Sequence, residues 1–172
     1  KKYKIKTNYI KEAHGIHTGV ALIMVDEKGE NSIAVSSGAN ADLRKEDVVF
    51  LEKQLKKEDI VLVQLEISLE VVNYIIRLCH KVNSKLILNP APFQKMSDES
   101  LHLVDTITPN ILETHSLTGV EITDINSARK AAQSLLEKKI KNVLITMGSK
   151  GVFYMSKDAE AYVPARKVEV AD

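Results

Sequence analysis

The 172-residue chain is long enough to bury one domain core, and its 24 basic and 23 acidic residues mix into a net charge of +1, which gives no electrostatic case for nucleic acid. Apolar residues make up 44% of the chain and aromatics only 5%, the balance of an aliphatic α/β core rather than of a disordered segment. No apolar run approaches the ~18 residues that a membrane-crossing helix needs. The single cysteine, Cys79, sits among apolar neighbours and reads as a buried thiol in a reducing cytoplasm.

The stretch "TGVALIMVDEKGENSIAVS" places two β-prone runs, Thr18–Val25 and Asn31–Ser36, around a polar turn with Gly29 at its tip. This spacing predicts a hairpin. Both runs are apolar on both faces, so at least one face should be covered, by another part of the protein or by a second chain.

After the loop "SGANADL" the pattern changes. Val48, Val49, Leu51 and Leu55 fit a helix, and "IVLVQL" (residues 60–65) reads as a buried strand. Ser68 caps a helix carrying Val72, Ile75, Ile76 and Cys79 at three-and-four spacing. "KLILNPAP" (residues 85–92) is a strand stopped by its prolines, and "SDESLHLV" a short capped helix. "DTITPN" leads into a helix over Ile111–Leu117 that Gly119 ends; a helix through Ala128, Ala131, Ala132, Leu135 and Leu136 follows, and then a strand over Lys141–Met147. Strand and helix alternating in this way specify a mostly parallel sheet with helices on its faces. From Gly151 the short β-prone pieces "GVFYMS", "AEAYVPA" and "KVEVAD" predict a meander at the sheet edge.

In such sheets ligands bind at the carboxyl ends of the strands. Those ends carry Leu65-Glu66, Asn89-Pro90, Pro109-Asn110 and Thr146-Met147-Gly148, a set of mixed hydrogen-bonding groups suited to a sugar or nucleotide. Each residue taken alone reads more readily as a turn or cap former. Neither G-x-x-x-x-G-K-[ST] nor G-x-G-x-x-G occurs, so phosphate binding would use other geometry, such as the amides of a glycine turn. The five histidines show no metal-ligand spacing, and no G-x-S-x-G elbow is present, which argues against structural zinc and against a hydrolase.

Taken in order, "SGANADL", "QLE", "LNPAP", "TPNILETHSLTG", "VLITMGSKGVF" and "VPARKVEVAD" resemble the ribokinase-like carbohydrate kinases. That resemblance implies an ATP-dependent kinase phosphorylating a pentose such as ribose, with fructokinase-like or nucleoside-kinase activity as the alternative. It implies that Thr146, Met147, Gly148, Ser149, Lys150 and Gly151 form the ATP-binding turn, that Asn110 binds ATP phosphates, and that Glu113 organises hydrated Mg²⁺. Glu66 would accept hydrogen bonds from sugar hydroxyls, and Asp172 would belong to a K⁺ site. Residues 18–36 would form part of a lid, pairing two subunits into a homodimer, and residues 37–172 the nucleotide-binding core. The family's catalytic base is expected beyond Asp172. A chain complete as given would instead be an inactive nucleotide-binding or dimerising module.

Overall fold

The structure, a computed structural model, describes residues 4–27 and 31–167; the Gly29 tip of the hairpin and Asp172 lie outside them. Strands β1 (Val20–Val25) and β2 (Asn31–Ser36) form an antiparallel pair in which Ile23 faces Ile33. Helical turns α1 (Lys45–Val48) and α2 (Leu51–Gln54) follow. The single helix expected here is interrupted at Val49 and Phe50. At the first turn the Arg44 amide donates to Asp47 Oδ2 and the Asp47 amide donates to the Arg44 carbonyl, both at 3.0 Å, and Leu55 leaves the second turn in an extended conformation.

The main body alternates as the sequence predicts: β3 (Ile60–Val63), α3 (Leu69–Val82), β4 (Lys85–Leu88), α4 (Asp98–Leu101), β5 (Thr106–Ile107), α5 (Ile111–Thr118), α6 (Ile125–Glu137) and β6 (Asn142–Thr146). Two further strands, β7 (Val152–Ser156) and β8 (Glu160–Val163), complete a six-stranded sheet of order β3-β4-β5-β6-β7-β8. The first four strands are parallel and the last two antiparallel, so the first two pieces of the expected edge meander are present, while residues 168–172 of its third piece lie outside the described residues. Strand β5 is only two residues long, because Pro109 has no N–H with which to extend the ladder.

Local chemistry sets the helix ends. The Ser68 hydroxyl accepts from the Val71 amide at the start of α3, and Asn83 and Gly119 end α3 and α5 in the left-handed conformation. The inward strand positions Val63, Leu86, Leu88, Ile107, Val143, Ile145 and Phe153 are buried against α3 and α6, whose Val72, Ile76, Ala128, Ala132 and Leu135 are fully covered. On the opposite face of β3, Ile60 and Leu62 are 63% and 70% exposed. Cys79 is buried, and that burial pushes its thiol above the ordinary cysteine value.

The hairpin stands apart from this core. Leu22, Ile23, Met24, Val25, Ile33 and Val35 are all more than half exposed, so among the described residues neither of its faces is covered.

Candidate functional site

Parallel strands deliver their carboxyl ends to one edge, and two clefts open along it. The first lies beyond β3 and beneath the hairpin. It encloses about 530 Å³ and is lined by Thr18, Ser37, Asn40, Glu66, Ser68 and Gln94, with Val20, Ala21 and Val35 from the hairpin. Glu66 lies three residues beyond the end of β3 and is exposed in this cleft. Its backbone neighbour Leu65 is held from both sides, its amide donating to the Ala91 carbonyl (2.9 Å) and its carbonyl accepting from Gln94 Nε2 (2.6 Å).

The loop entering this cleft needs two glycines. A Cβ on Gly19 would sit 3.1 Å from the Ser37 carbonyl oxygen, and one on Gly38, at φ +51°, would meet the His17 carbonyl oxygen at 2.3 Å. The "SGAN" segment is therefore folded tightly against residues 17–19, which brings Asn40 to the cleft wall.

The second cleft, of about 820 Å³, lies beyond β5 and β6. Asn110, Thr146, Met147, Gly148, Ser149 and Gly151 line it, facing Val163, Pro164 and Ala165 from the end of the meander. A bridge between Asn110 and Thr146, with the Thr146 amide donating to the Pro109 carbonyl (2.9 Å), holds the two strand ends together. Beyond Thr146 the chain makes a tight turn. The Met147 amide donates to the Gly151 carbonyl (2.8 Å), and the Gly151 amide to the Gly148 carbonyl (3.0 Å).

The two glycines of this turn are required for different reasons. Gly148 adopts φ +57° with open space where a Cβ would go, whereas a Cβ on Gly151 would lie 2.1 Å from the Val163 carbonyl oxygen. Gly151, at φ +102°, is thus fixed both by its backbone and by the close approach of residues 163–165, and Gly148 by its left-handed backbone alone, beside the cleft.

Asn110 and Glu113 form a reciprocal cap at the start of α5. Asn110 Oδ1 accepts from the Glu113 amide and Glu113 Oε2 accepts from the Asn110 amide, both at 2.8 Å. The capping alternative is therefore realised, although Glu113 is buried rather than facing solvent. The cap leaves the Asn110 Nδ2 donor and the Glu113 Oε1 acceptor unused, and Asn110 alone of the two lines the cleft. A carboxylate oxygen held back from the cap fits a cation that prefers oxygen ligands and keeps its waters, as Mg²⁺ does.

Of the expected residues, the structure groups Asn110, Thr146, Met147, Gly148, Ser149 and Gly151 in the second cleft and places Glu66 in the first. Lys150 is turned away, its Nζ donating to the Thr123 carbonyl (2.9 Å). Asn89 lines neither cleft. Asn40, Gln94 and residues 163–165 also line the two clefts, without a role expected from the sequence. The glycines of "TGV" and "SGAN" signalled the first, but no local pattern marks Gln94.

The pattern of the pfkB family carbohydrate kinases matches residues 1–172. The chain is 42% identical over 168 residues to ribokinase of Haemophilus influenzae and 36% identical over 169 residues to deoxyribokinase of Salmonella typhi, in each case with 98% of this chain and 55% of the relative covered. It superposes on the crystal structure of ribokinase from Thermotoga maritima with a TM-score of 0.73 at 35% identity, covering 91% of this chain and 51% of that one. The chain thus spans about half the length of the curated relatives it matches. With a family-wide match from end to end and the sheet-edge clefts in place, the chain belongs to the pfkB family of carbohydrate kinases.

Proposed function

We propose that the whole protein is an ATP-dependent pentose kinase that transfers the γ-phosphate of ATP to the primary hydroxyl of D-ribose, giving ribose 5-phosphate and ADP. The observation that carries this reading is the pair of clefts on one sheet edge, one built around a carboxylate and the other around a glycine turn. Glu66 accepts hydrogen bonds from sugar hydroxyls, and a carboxylate suits this because each hydroxyl offers it a proton. Thr146, Met147, Gly148, Ser149 and Gly151 take the nucleotide. Asn110 Nδ2, free of the cap, donates to ATP phosphate. Glu113 Oε1 would hold Mg²⁺ through water, and the ion when bound would supply positive charge to offset that of the phosphates.

The hydroxyl proton must leave for a base as the new P–O bond forms and the β–γ bridge bond breaks. We assign no such base among the described residues. Residues 18–36 serve as a lid over the sugar, and their exposed apolar faces suit pairing with a second copy as a homodimer; residues 37–172 make up the nucleotide-binding core. Among the described residues no helix is long and apolar enough to cross a membrane, in keeping with a cytoplasmic enzyme using cellular ATP. The K⁺ role of Asp172 remains part of the reading.

Ribose-dependent ADP formation by the full-length protein tests the proposal, and turnover of ATP that ribose does not stimulate would reject it. The 36% identity to a deoxyribokinase favours 2-deoxyribose as a second substrate, so the two sugars are compared at equal concentration.

A further inference from the structure

The nucleotide-side turn is braced by two side chains outside the set that lines the cleft. The Tyr162 hydroxyl, on β8, donates to the Lys150 carbonyl, inside the turn. The Lys150 side chain then reaches the Thr123 carbonyl ahead of α6. The turn is therefore tied on one side to the meander and on the other to the loop between α5 and α6. The meander is itself clamped to α6, because Arg129 grips Glu160 with two nitrogens, at 2.5 and 2.8 Å.

These ties matter because the cleft has two walls from separate parts of the chain. The turn supplies one, and residues 163–165, immediately after Tyr162, supply the other. Gly151 packs directly against that second wall, so the gap between the walls is set wherever Tyr162 and Gly151 hold them together. Gly148 has no neighbour to restrain it on the cleft side.

We propose that Tyr162 and Lys150 are positioning residues for nucleotide binding: they fix the turn at the spacing that admits the nucleotide and touch no ligand themselves. This rests on the nucleotide reading of the second cleft. Losing either tie widens the ensemble of turn positions, and binding must then order it again. The loss falls on the nucleotide and not on the sugar, whose cleft adjoins β3 at the far edge of the sheet.

The test uses the full-length protein and three variants, Tyr162→Phe, Lys150→Met and Lys150→Arg, with ADP binding followed by calorimetry and steady-state rates measured with ATP and ribose varied separately. Tyr162→Phe keeps the ring and removes only the hydroxyl, so ADP Kd and ATP KM should each rise about fivefold, the net worth of one hydrogen bond. The KM for ribose should stay within about twofold of wild type. Lys150→Met should act in the same direction, with Lys150→Arg restoring most of the affinity. ADP binding unchanged in both Tyr162→Phe and Lys150→Met, or ATP and ribose KM rising together as general loosening would produce, overturns the inference. Wild-type protein that binds no ADP overturns the nucleotide reading itself, whereas wild type, Tyr162→Phe and Lys150→Met all binding ADP equally tightly reject the positioning role alone.

Discussion

The hairpin and the glycine turn are both short, both rich in backbone constraint, and both placed beside a cleft, yet they differ in what holds them. The turn is enclosed by the chain's own residues: Gly151 against 163–165, Tyr162 and Lys150 as ties, and Phe153 of the adjoining strand fully buried. The hairpin is held by its own ladder and by the SGAN contact at its base, with seven large apolar side chains of its strands exposed. An element that must move over a substrate is drawn from the weakly packed part of a fold, and one that must present a fixed backbone to a ligand from the well-packed part.

The largest effect that could break this comparison is on stability. Phe153→Ala removes a fully buried ring and should cost about 3–5 kcal/mol, whereas Ile23→Ala, at a side chain 61% exposed, should cost no more than about 0.5 kcal/mol in the isolated protomer. Urea unfolding checks both, and a large loss for Ile23→Ala in a monomer would show that the hairpin is packed after all.

The glycines sharpen the contrast inside the turn. Gly148→Ala meets no atom and bears only the left-handed backbone penalty, about 1–2 kcal/mol. Gly151→Ala adds a Cβ at 2.1 Å from a carbonyl oxygen and should lower the melting temperature more. It should also weaken ADP binding by moving residues 163–165. Equal melting temperatures for the two variants would contradict the packing role given to Gly151.

The smallest effect concerns the clamp. Hydrogen bonding to Arg129 holds the Glu160 carboxyl below the ordinary carboxylate range. Its contribution to stability is therefore present above the unfolded value of about 4.3 and is lost as pH falls through the lower folded value. The pair is exposed on both sides, so the change is slight. A carboxyl chemical-shift titration should place Glu160 below about 4.3, and Arg129→Ala should return it to that value; an unchanged midpoint would remove the clamp from the account.

Much of the architecture was legible because local chemistry agrees with the tertiary outcome. Ser68 caps where a cap is expected, Leu86 and Leu88 alternate into the core, and the three-residue spacing of Asn110 and Glu113 becomes a real cap. The break between α1 and α2 was hidden because Val49 and Phe50 look like helix continuation and keep helical backbone angles, the change being in the hydrogen bonding, where the Glu52 and Lys53 amides donate three residues back to the Val49 and Phe50 carbonyls. The reason for Gly151 was hidden too, since its steric partner lies twelve residues on, at Val163. The positions of Gln94 and Tyr162 likewise depend on which carbonyls the fold brings within reach, Leu65 for one and Lys150 for the other.

Under the proposed function, one sheet edge carries two separate subsites, sugar beside Glu66 and nucleotide beside Asn110. Steady-state KM values for ribose and ATP, measured on full-length Glu66→Ala and Asn110→Ala, test it most directly. Removing a carboxylate that accepts from sugar hydroxyls should raise the ribose KM roughly 10- to 100-fold while ATP KM changes by less than about twofold. Asn110→Ala should do the reverse. Parallel rises in both constants for either variant would contradict the division of the edge into two subsites.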